Sequence, residues 1–375
     1  MHSFARRLVQ AGALTLFAVA LSAAPAAADG SAVVGHVYVN DNTTGVNTIA
    51  GFDRHADGSL TALPGSPFAA GGAGSGAGLA SQGALQISTT GRYLLAVDPG
   101  SNQISVLRIR HDGSLRVADV VGSGGNLPDS IAEHAGLVYV ANSGAGGSDY
   151  TGFTLGSGGR LRPLAGSTIP LSDAAQPGDV FFNPTGTNLV GTEVGTSLID
   201  SFHVTDDGRL VAAPGSPFAA QGPGPFGSEF RPTEADQLFV SNAHGAPGAG
   251  TVSAFRVASD GTLSSIGSSP FADGQTAPCW VEITHDGTVL FTTNTGSSTI
   301  SSYTIAANGV LTHQSDAPSG PGSVDIRLSP NGHQLYVVQR GADSLGAYSV
   351  SGASLTSLGS FALPAGAVPA GVVTN

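Results

Sequence analysis

The sequence predicts an all-β fold, a seven-bladed β-propeller of four-stranded antiparallel blades. Three observations predict it: a short apolar strand that recurs seven times, a glycine turn that follows each copy, and a C-terminal segment with the pattern of an innermost strand. The copies lie about 50 residues apart, which is typical of a propeller blade.

The recurring strand is a run of mostly apolar residues that ends on a polar one. The first copy is Val37-Tyr38-Val39-Asn40-Asp41, and the last is Leu335-Tyr336-Val337-Val338-Gln339. The second positions of the seven copies are residues 38, 95, 139, 190, 239, 291 and 336. Self-similarity at a fixed period predicts that each copy belongs to one structural repeat.

A tight turn follows each copy, after one further alternating strand. The turns are Asp57-Gly58, Asp112-Gly113, Gly158-Gly159, Asp207-Gly208, Asp260-Gly261, Asn308-Gly309 and Ser351-Gly352. Asp-Gly and Asn-Gly are typical of two-residue hairpins, because both central residues tolerate positive φ. Three repeats then carry Ser-Pro-Phe, at 66–68, 216–218 and 269–271, where the proline is expected to end an outer strand.

The phase of the repeat predicts how the ring closes. The first copy is the second strand of a blade, whereas the chain ends with Pro369-Ala370-Gly371-Val372-Val373, which has the pattern of an innermost strand. We expect this C-terminal strand to pair into the N-terminal blade, which leaves no open sheet edge. Residues 29–375 are therefore predicted to form one propeller domain.

Residues 1–28 have the pattern of a signal peptide. Arg6 and Arg7 precede an apolar run from Leu8 to Leu21, and Ala26-Ala27-Ala28 supplies small residues for cleavage. The run is short for a membrane span, and no later apolar run is longer, so no membrane association is expected. We predict a secreted protein, extracellular or in the cell envelope. The general secretion route is favoured over the twin-arginine route.

Composition excludes several classes of function. All 14 basic residues are arginine, so lysine-dependent chemistry such as Schiff-base formation is excluded. The 26 acidic residues give a surface that repels phosphate backbones, and no nucleic-acid partner is expected. The single Cys279 cannot form an internal disulfide and is expected to be buried and inert. We expect a monomer with a small-molecule or carbohydrate ligand, no cofactor and no metal.

One stretch resembles a known family. It runs Asp325-Ile326-Arg327-Leu328-Ser329-Pro330-Asn331-Gly332, then Leu335-Tyr336-Val337, then Arg340-Gly341-Ala342-Asp343-Ser344. It is similar to a segment of the seven-bladed propellers named after bacterial 6-phosphogluconolactonase. The resemblance extends over the seven repeats and is closest to a secreted, actinobacterial-style branch with a Pro-Cys-Trp-Val segment like Pro278-Cys279-Trp280-Val281. It implies a lactonase-type propeller, with polar residues where the innermost strands enter the central channel.

Alignment of the innermost strands gives a channel column, one residue from each strand. The column is Ala84, Ser130, Asp179, Gly227, Trp280, Asp325 and Gly371. The family's Gly-Pro-Arg-His segment is Gly224-Pro225-Phe226-Gly227 in this chain, and its Pro-His-Ala-His segment is Gln176-Pro177-Gly178-Asp179. The family's histidines and one arginine are thus missing. Asp325, which stands where the family has Glu, and the arginines Arg327 and Arg340 remain.

Two functions stay open at this point. The first is hydrolysis of a lactone or a sugar-derived ester, with Asp325 or Asp179 as base and Arg340 to offset the oxyanion charge. The second is a non-catalytic extracellular propeller that binds a carbohydrate or a protein. Trp280 and Arg327, together with His244 in a glycine-rich loop, are the candidate ligand-binding residues. Trp280 is equally expected to stack on a ligand or to fill the channel, and Glu229 and Glu282 are expected between blades in a buried ion pair or a turn cap.

Overall fold

The structure is a computed structural model that describes residues 31–375. Seven antiparallel sheets follow one another along these residues, each with an innermost, a second, a third and an outer strand. The predicted seven-bladed propeller is therefore confirmed. Among the described residues the one helical element is a 3₁₀ turn at Arg340–Ala342, and no helix has the length and apolar character needed to cross a bilayer. The predicted signal peptide, residues 1–28, lies outside the described residues.

The innermost, second and third strands fall at corresponding places in the seven blades. The innermost strands are Leu85–Ile87, Pro128–His134, Pro177–Phe182, Pro225–Phe230, Pro278–Ile283, Ser323–Leu328 and Val372–Thr374. The second strands are Val33–Asn40, Tyr93–Asp98, Leu137–Asn142, Asn188–Glu193, Gln237–Asn242, Val289–Asn294 and Gln334–Gln339. The third strands are Gly45–His55, Gln103–Ile109, Asp149–Leu155, Leu198–Val204, Thr251–Val257, Thr299–Ile305 and Ser344–Ser351.

The outer strands are continuous in three blades and interrupted in four. The continuous ones are Leu115–Gly122, Leu311–Pro318 and Ser354–Ala362. The interrupted ones are Leu60–Ala62 with Phe68–Gly74, Leu161–Pro163 with Ile169–Pro170, Leu210–Ala212 with Phe218–Ala219, and Leu263–Ser265 with Phe271–Ala272. Three of these interruptions contain the Ser-Pro bonds of the Ser-Pro-Phe segments, and all three bonds are cis. The proline therefore separates two pieces of an outer strand, because it has no N–H for the sheet.

The pairing register agrees with the alignment of the repeats. The second residue of each recurring strand pairs with a residue of the innermost strand of the same blade. That partner lies two places after the residue of the channel column. Examples are Tyr139 with Ala132, Val190 with Phe181, Phe239 with Glu229, and Phe291 with Glu282. The same position therefore faces the same environment in different blades.

The predicted hairpins form, but most differ from the expected two-residue geometry. In the first, Gly58 has φ of 85°, whereas Asp57 is not in the positive-φ region. The Gly58 N–H donates to the His55 carbonyl at 2.9 Å, and Asp57 Oδ1 accepts from the Ser59 N–H at 3.0 Å. The aspartate thus stabilises the turn through its side chain, and only the glycine needs the left-handed conformation. The seventh hairpin pairs Ser351 with Ser354 and has the two-residue loop.

The ring closes as the sequence predicts. Val372–Thr374 pairs antiparallel with Val37–Val39 of the second strand of the first blade. Val373 is buried and packs in an interblade cluster that includes Tyr38, Leu85 and Leu94. The last residues of the chain therefore connect its two ends by both hydrogen bonds and apolar contacts.

Replacing Val373 with aspartate should destabilise the whole propeller, because the substitution places an unpaired charge inside the closure cluster. We expect the free energy of unfolding, measured by urea denaturation, to fall by at least about 3 kcal/mol. The control is Val211→Asp on an outer strand, where the valine is 54% exposed; it should change the free energy by about 0.5 kcal/mol or less. Equal losses for the two variants would mean that closure does not limit stability.

Candidate functional site

The innermost strands present their free backbone edge to the central channel, and the buried N–H groups on that edge need acceptors. In several blades, the backbone N–H of the residue that directly follows the column residue donates to a side chain of a neighbouring blade. Val180 N donates to Ser130 Oγ at 3.1 Å, Ser228 N to Asp179 Oδ2 at 2.9 Å, and Val372 N to Asp325 Oδ2 at 3.0 Å. In each case the acceptor is a column side chain from the preceding blade. These polar column residues therefore join neighbouring blades at the channel.

Three blades have no polar side chain in the column, at Ala84, Gly227 and Gly371. The segment before the second blade supplies acceptors for the donors that follow Ala84 and Gly227. Val281 N donates to Gln82 Oε1 at 2.9 Å, and Ile131 N donates to the Gly83 carbonyl at 2.9 Å. The Gln82 amide also donates to the carbonyls of Ser228 and Val281, at 3.2 and 3.3 Å.

Residues 81–83 are therefore a channel plug, a name we use for these three residues below. Ser81 and Gln82 are each 2% exposed. The glycine-rich composition of residues 71–83 predicts a mobile loop over one propeller face. The prediction is wrong at both ends, since residues 71–74 belong to the outer strand Phe68–Gly74 and residues 81–83 are buried. The backbone and side chains of the plug are bonded inside the channel because the innermost strands leave donors there that nothing else satisfies.

Trp280 fills the channel beside the plug. Its ring is buried, and its Nε1–H donates to the Ser81 carbonyl at 2.9 Å. The Phe226 ring packs edge-on against it, with 4.9 Å between the centroids. Of the two roles expected for Trp280, the structure shows channel filling, and no face of this ring is open to a ligand.

Asp179 and Asp325 lie inside the channel. Burial raises the pKa of Asp179 to about 7 and that of Asp325 to about 6, against the lowering effect of their hydrogen bonds and, for Asp325, of Arg327. Asp325 contributes to the raised pKa of Asp179, so the two carboxyls lie within electrostatic range. Asp179 also accepts from the Ser228 and Ser130 hydroxyls, at 2.7 and 3.2 Å. Both carboxyls thus have structural partners, and their catalytic assignment stays a prediction.

Arg340 contacts the segment that leads into the plug, and among the described residues it has no ion pair with either of these two carboxyls. Its Nη1 donates to the Leu79 carbonyl at 3.4 Å, and it interacts electrostatically with Cys279. Burial lowers the pKa of Arg340, and burial raises the pKa of the Cys279 thiol to about 11. Cys279 is buried and unpaired, and this pKa favours the neutral thiol. The expected role of Arg340 in oxyanion stabilisation has no support from a contact with Asp179 or Asp325.

One pocket opens at the end of the channel where the innermost strands begin; we call it the upper pocket. It has a volume of about 310 Å³, and its lining includes Leu79, Asp129, Ser143, Phe226 and His244. His244, a predicted ligand-binding residue, is exposed at this pocket. Sequence reasoning missed Asp129, which directly precedes the column residue Ser130.

Asp129 is the most unusual group in the upper pocket. Its side chain is buried, and its Oδ1 has no hydrogen-bond partner. Burial raises the pKa of Asp129 well above its usual range, Ser143 lowers it, and Asp179 raises it further. This shift favours the protonated carboxyl, which is a hydrogen-bond donor as well as an acceptor.

A second pocket opens where the innermost strands end; we call it the lower pocket. Its volume is about 400 Å³, and its lining includes Glu229, Glu282 and Arg327. Arg327 Nη1 lies 3.1 Å from Glu282 Oε2, so the ion pair expected for this glutamate is present. Glu229 and Glu282 lie two places after the column and therefore on its face of the strand. Glu282 reaches Arg327 and Leu328 of the next blade, as expected for a residue between blades. Arg327, a predicted ligand-binding residue, lines this pocket.

Among the described residues, no group of three or more His, Cys, Asp or Glu side chains is arranged to hold a metal ion. The channel thus combines buried carboxyls, one arginine pair and a plug, with a pocket at either end.

The match to known families falls in the fifth and sixth blades. Residues 230–324 match the family described as "Lactonase, 7-bladed beta-propeller". The predicted resemblance to lactonase-type propellers is confirmed. The actinobacterial-style branch stays a prediction. A comparison with curated proteins gave no match.

Solved structures of this shape include several lactonase-type propellers. A Bacteroides uniformis protein named as a candidate 6-phosphogluconolactonase has a TM-score of 0.75 at 20% identity and covers 92% of this chain and 100% of its own. The periplasmic gluconolactonase of Pseudomonas aeruginosa has a TM-score of 0.69 at 17% identity, over 91% of this chain and 98% of its own. At these identities the likeness establishes the propeller fold.

Asp179 should make stability depend on pH. Its folded pKa of about 7 lies above the ordinary value of 3.8. The folded state therefore holds a proton that the unfolded state has lost, and stability should fall as the pH rises from about 4 to 7. Relative to Asp179→Asn, the wild type should lose up to about 4 kcal/mol across this window.

The control for this measurement is Asp112→Asn. Asp112 is exposed, and hydrogen bonds from Ser114 lower its pKa, so its contribution should be constant above pH 4. Denaturation curves at several pH values for the three proteins provide the comparison. A difference between wild type and Asp179→Asn that does not change with pH would show that Asp179 is charged in the folded protein.

Proposed function

We propose that this chain is a lactonase-type propeller that binds a small neutral sugar lactone, or a related polyol ester, in the upper pocket. The single observation that carries the proposal is the buried Asp129 carboxyl, which lines this pocket with an unpartnered Oδ1. A neutral carboxyl donates a hydrogen bond to a carbonyl oxygen, which a lactone supplies. The similarity to lactonase-type propellers supports a ligand of this class.

The lining also favours a neutral ligand over a phosphorylated one. No arginine is among the described residues of the upper pocket, and the chain has no lysine. Phosphate groups are usually bound by such cations or by clustered backbone amides. The apolar side chains of Leu79 and Phe226 line the same space and suit the carbon skeleton of a lactone.

Hydrolysis of the bound lactone is the second candidate function. The observation that favours it is that His244 lines the same pocket as the neutral Asp129. A histidine can accept a proton from an attacking water, while a protonated carboxyl stabilises the negative charge that develops on the carbonyl oxygen. This arrangement differs from the predicted site at Asp179, Asp325 and Arg340. Those three residues contact the channel backbone or the segment that leads into the plug.

We also propose that the chain is exported by its signal peptide and acts outside the cytoplasm as a monomer, without a nucleic-acid or membrane partner. Arg6 and Arg7, the apolar run that follows them and Ala26-Ala27-Ala28 support export, and the acidic composition supports the absence of a nucleic-acid partner. In a bacterial host, the secreted fraction should contain a chain that begins near Asp29, as read by mass spectrometry of its N-terminus. A protein that stays in the cytoplasm with residues 1–28 intact would contradict export.

Asp129→Leu should abolish most ligand binding, because it removes the only proposed donor to the carbonyl. For a panel of sugar lactones measured by calorimetry, we expect affinity to fall about tenfold or more, which corresponds to about 1.4 kcal/mol. Asp129→Asn keeps a donor in the same place and should bind within a few-fold of the wild type. Circular dichroism establishes that both variants are folded.

The same panel decides between binding and hydrolysis. Acid release in a pH-stat that disappears in Asp129→Leu and in His244→Gln would support hydrolysis in the upper pocket. Loss of activity in Asp325→Asn, with activity intact in Asp129→Leu, would instead place the reaction at the channel carboxyls. If no lactone binds to the wild type, the proposed ligand class is wrong.

A further inference from the structure

We propose that the lower pocket is a second ligand site, which takes the vicinal hydroxyls of a neutral sugar or polyol. It lies at the opposite ends of the innermost strands from the upper pocket. Trp280 and the channel plug fill the space between the two ends. The proposal does not depend on the function proposed for the upper pocket.

Three side chains from consecutive blades form the polar part of this pocket. Glu229, Glu282 and Arg327 each lie two places after the channel column. Arg327 pairs with Glu282, whose Oε1 also accepts from the Leu328 N–H at 2.8 Å. These bonds fix the orientation of two of the three groups, so the pocket has a defined polar wall before any ligand arrives.

Three buried side-chain atoms in this wall have no hydrogen-bond partner, and one of them, Glu282 Oε2, has the ion pair with Arg327 instead. Glu229 is 7% exposed, and its Oε2 has no hydrogen bond. The Nε–H of Arg327 is likewise buried without an acceptor. Buried polar groups without partners are costly and rare, and both side chains line the same cavity of about 400 Å³. A ligand that bonds both atoms would remove that cost.

The charges of the wall select the ligand. Arg327 and Glu282 compensate each other. Burial, together with the neighbouring Glu282, raises the pKa of Glu229 well above its usual range, against the lowering effect of Arg327, which favours the protonated carboxyl that can donate. The wall therefore offers donors at Glu229 and Arg327 and acceptors at the two glutamates. A pair of adjacent hydroxyls, each of which donates and accepts, matches that set.

Charged ligands fit less well. A cation would meet the Arg327 guanidinium. Burial lowers the pKa of this group, but the surrounding carboxyls raise it, namely Glu282, Asp325, Glu229 and Asp179. An anion would meet those same carboxyls. A neighbouring cavity of about 230 Å³ shares Glu229, and its lining includes Phe181 and Phe182 beside Glu133 and His134. The two phenylalanines give the site aromatic surface suited to the carbon face of a sugar ring.

The test uses methyl glucoside as the probe, with saturation-transfer NMR and a titration on the full chain. It is carried out in the Asp129→Leu background, so that binding in the upper pocket does not contribute. We expect the protein to bind methyl glucoside and not its permethylated form, which has no hydroxyl donors. Glu229→Leu should weaken binding about tenfold or more, whereas Glu229→Gln, which keeps a donor and an acceptor, should stay within about threefold.

Thermal unfolding establishes that each variant is folded, and the Gln variant keeps the test informative if Leu at this position disturbs the packing. Equal affinity in Glu229→Leu and the parent protein would overturn the proposal. Binding of the permethylated sugar, or of ethanolamine in preference to methyl glucoside, would also overturn it. Failure of the upper-pocket proposal gives a different result, since Asp129→Leu would then leave lactone binding unchanged while sugar binding still depends on Glu229.

Discussion

The unpaired amide edge of the innermost strands is the constraint on which the rest of this structure depends. A propeller blade ends at the channel with backbone donors that have no neighbouring strand, and water is excluded where the channel is filled. Ser130, Asp179 and Asp325 satisfy such donors in the next blade along. The buried carboxyls are thus explained by the backbone they serve, and their raised pKa values follow from the same burial.

Where the column has no polar side chain, the chain supplies an acceptor from elsewhere. Gln82 takes the place of a side chain at Gly227, and only glycine allows this approach, since a Cβ there would lie 2.2 Å from Gln82 Oε1. The plug and Trp280 divide the channel into two ends. Function is therefore expected at the mouths, where Asp129 and Glu229 have unpartnered oxygens, rather than at Asp179 and Asp325, whose carboxyls accept from the channel backbone.

The sequence predicted the fold well because its signals are local and repeated. The recurring strand, the turn glycines and the C-terminal closing strand each needed only a pattern and a period. The site was predicted less well because it depends on contacts across the ring. Asp129 stands one place before the aligned column, where the repeat pattern assigns no role, and the roles of Gln82 and Trp280 follow from packing between distant segments. One signal was present: Ala84, Gly227 and Gly371 have no polar side chain in a column that supplies acceptors elsewhere, which indicates that another segment is needed, and the plug provides it for the first two.

The free energy of unfolding of Gln82→Leu, compared with that of Gln86→Leu, tests most directly whether the channel edge requires an inserted acceptor. Gln82 bonds the Ser228 and Val281 backbones, whereas Gln86 bonds only the adjacent Ile87 carbonyl. Since leucine at 82 leaves a buried N–H and two carbonyls without partners, the free energy of unfolding should fall by about 3 kcal/mol or more. The change at 86 should stay within about 1 kcal/mol. Equal free energies of unfolding for the two variants would contradict the view that the channel edge requires an inserted acceptor.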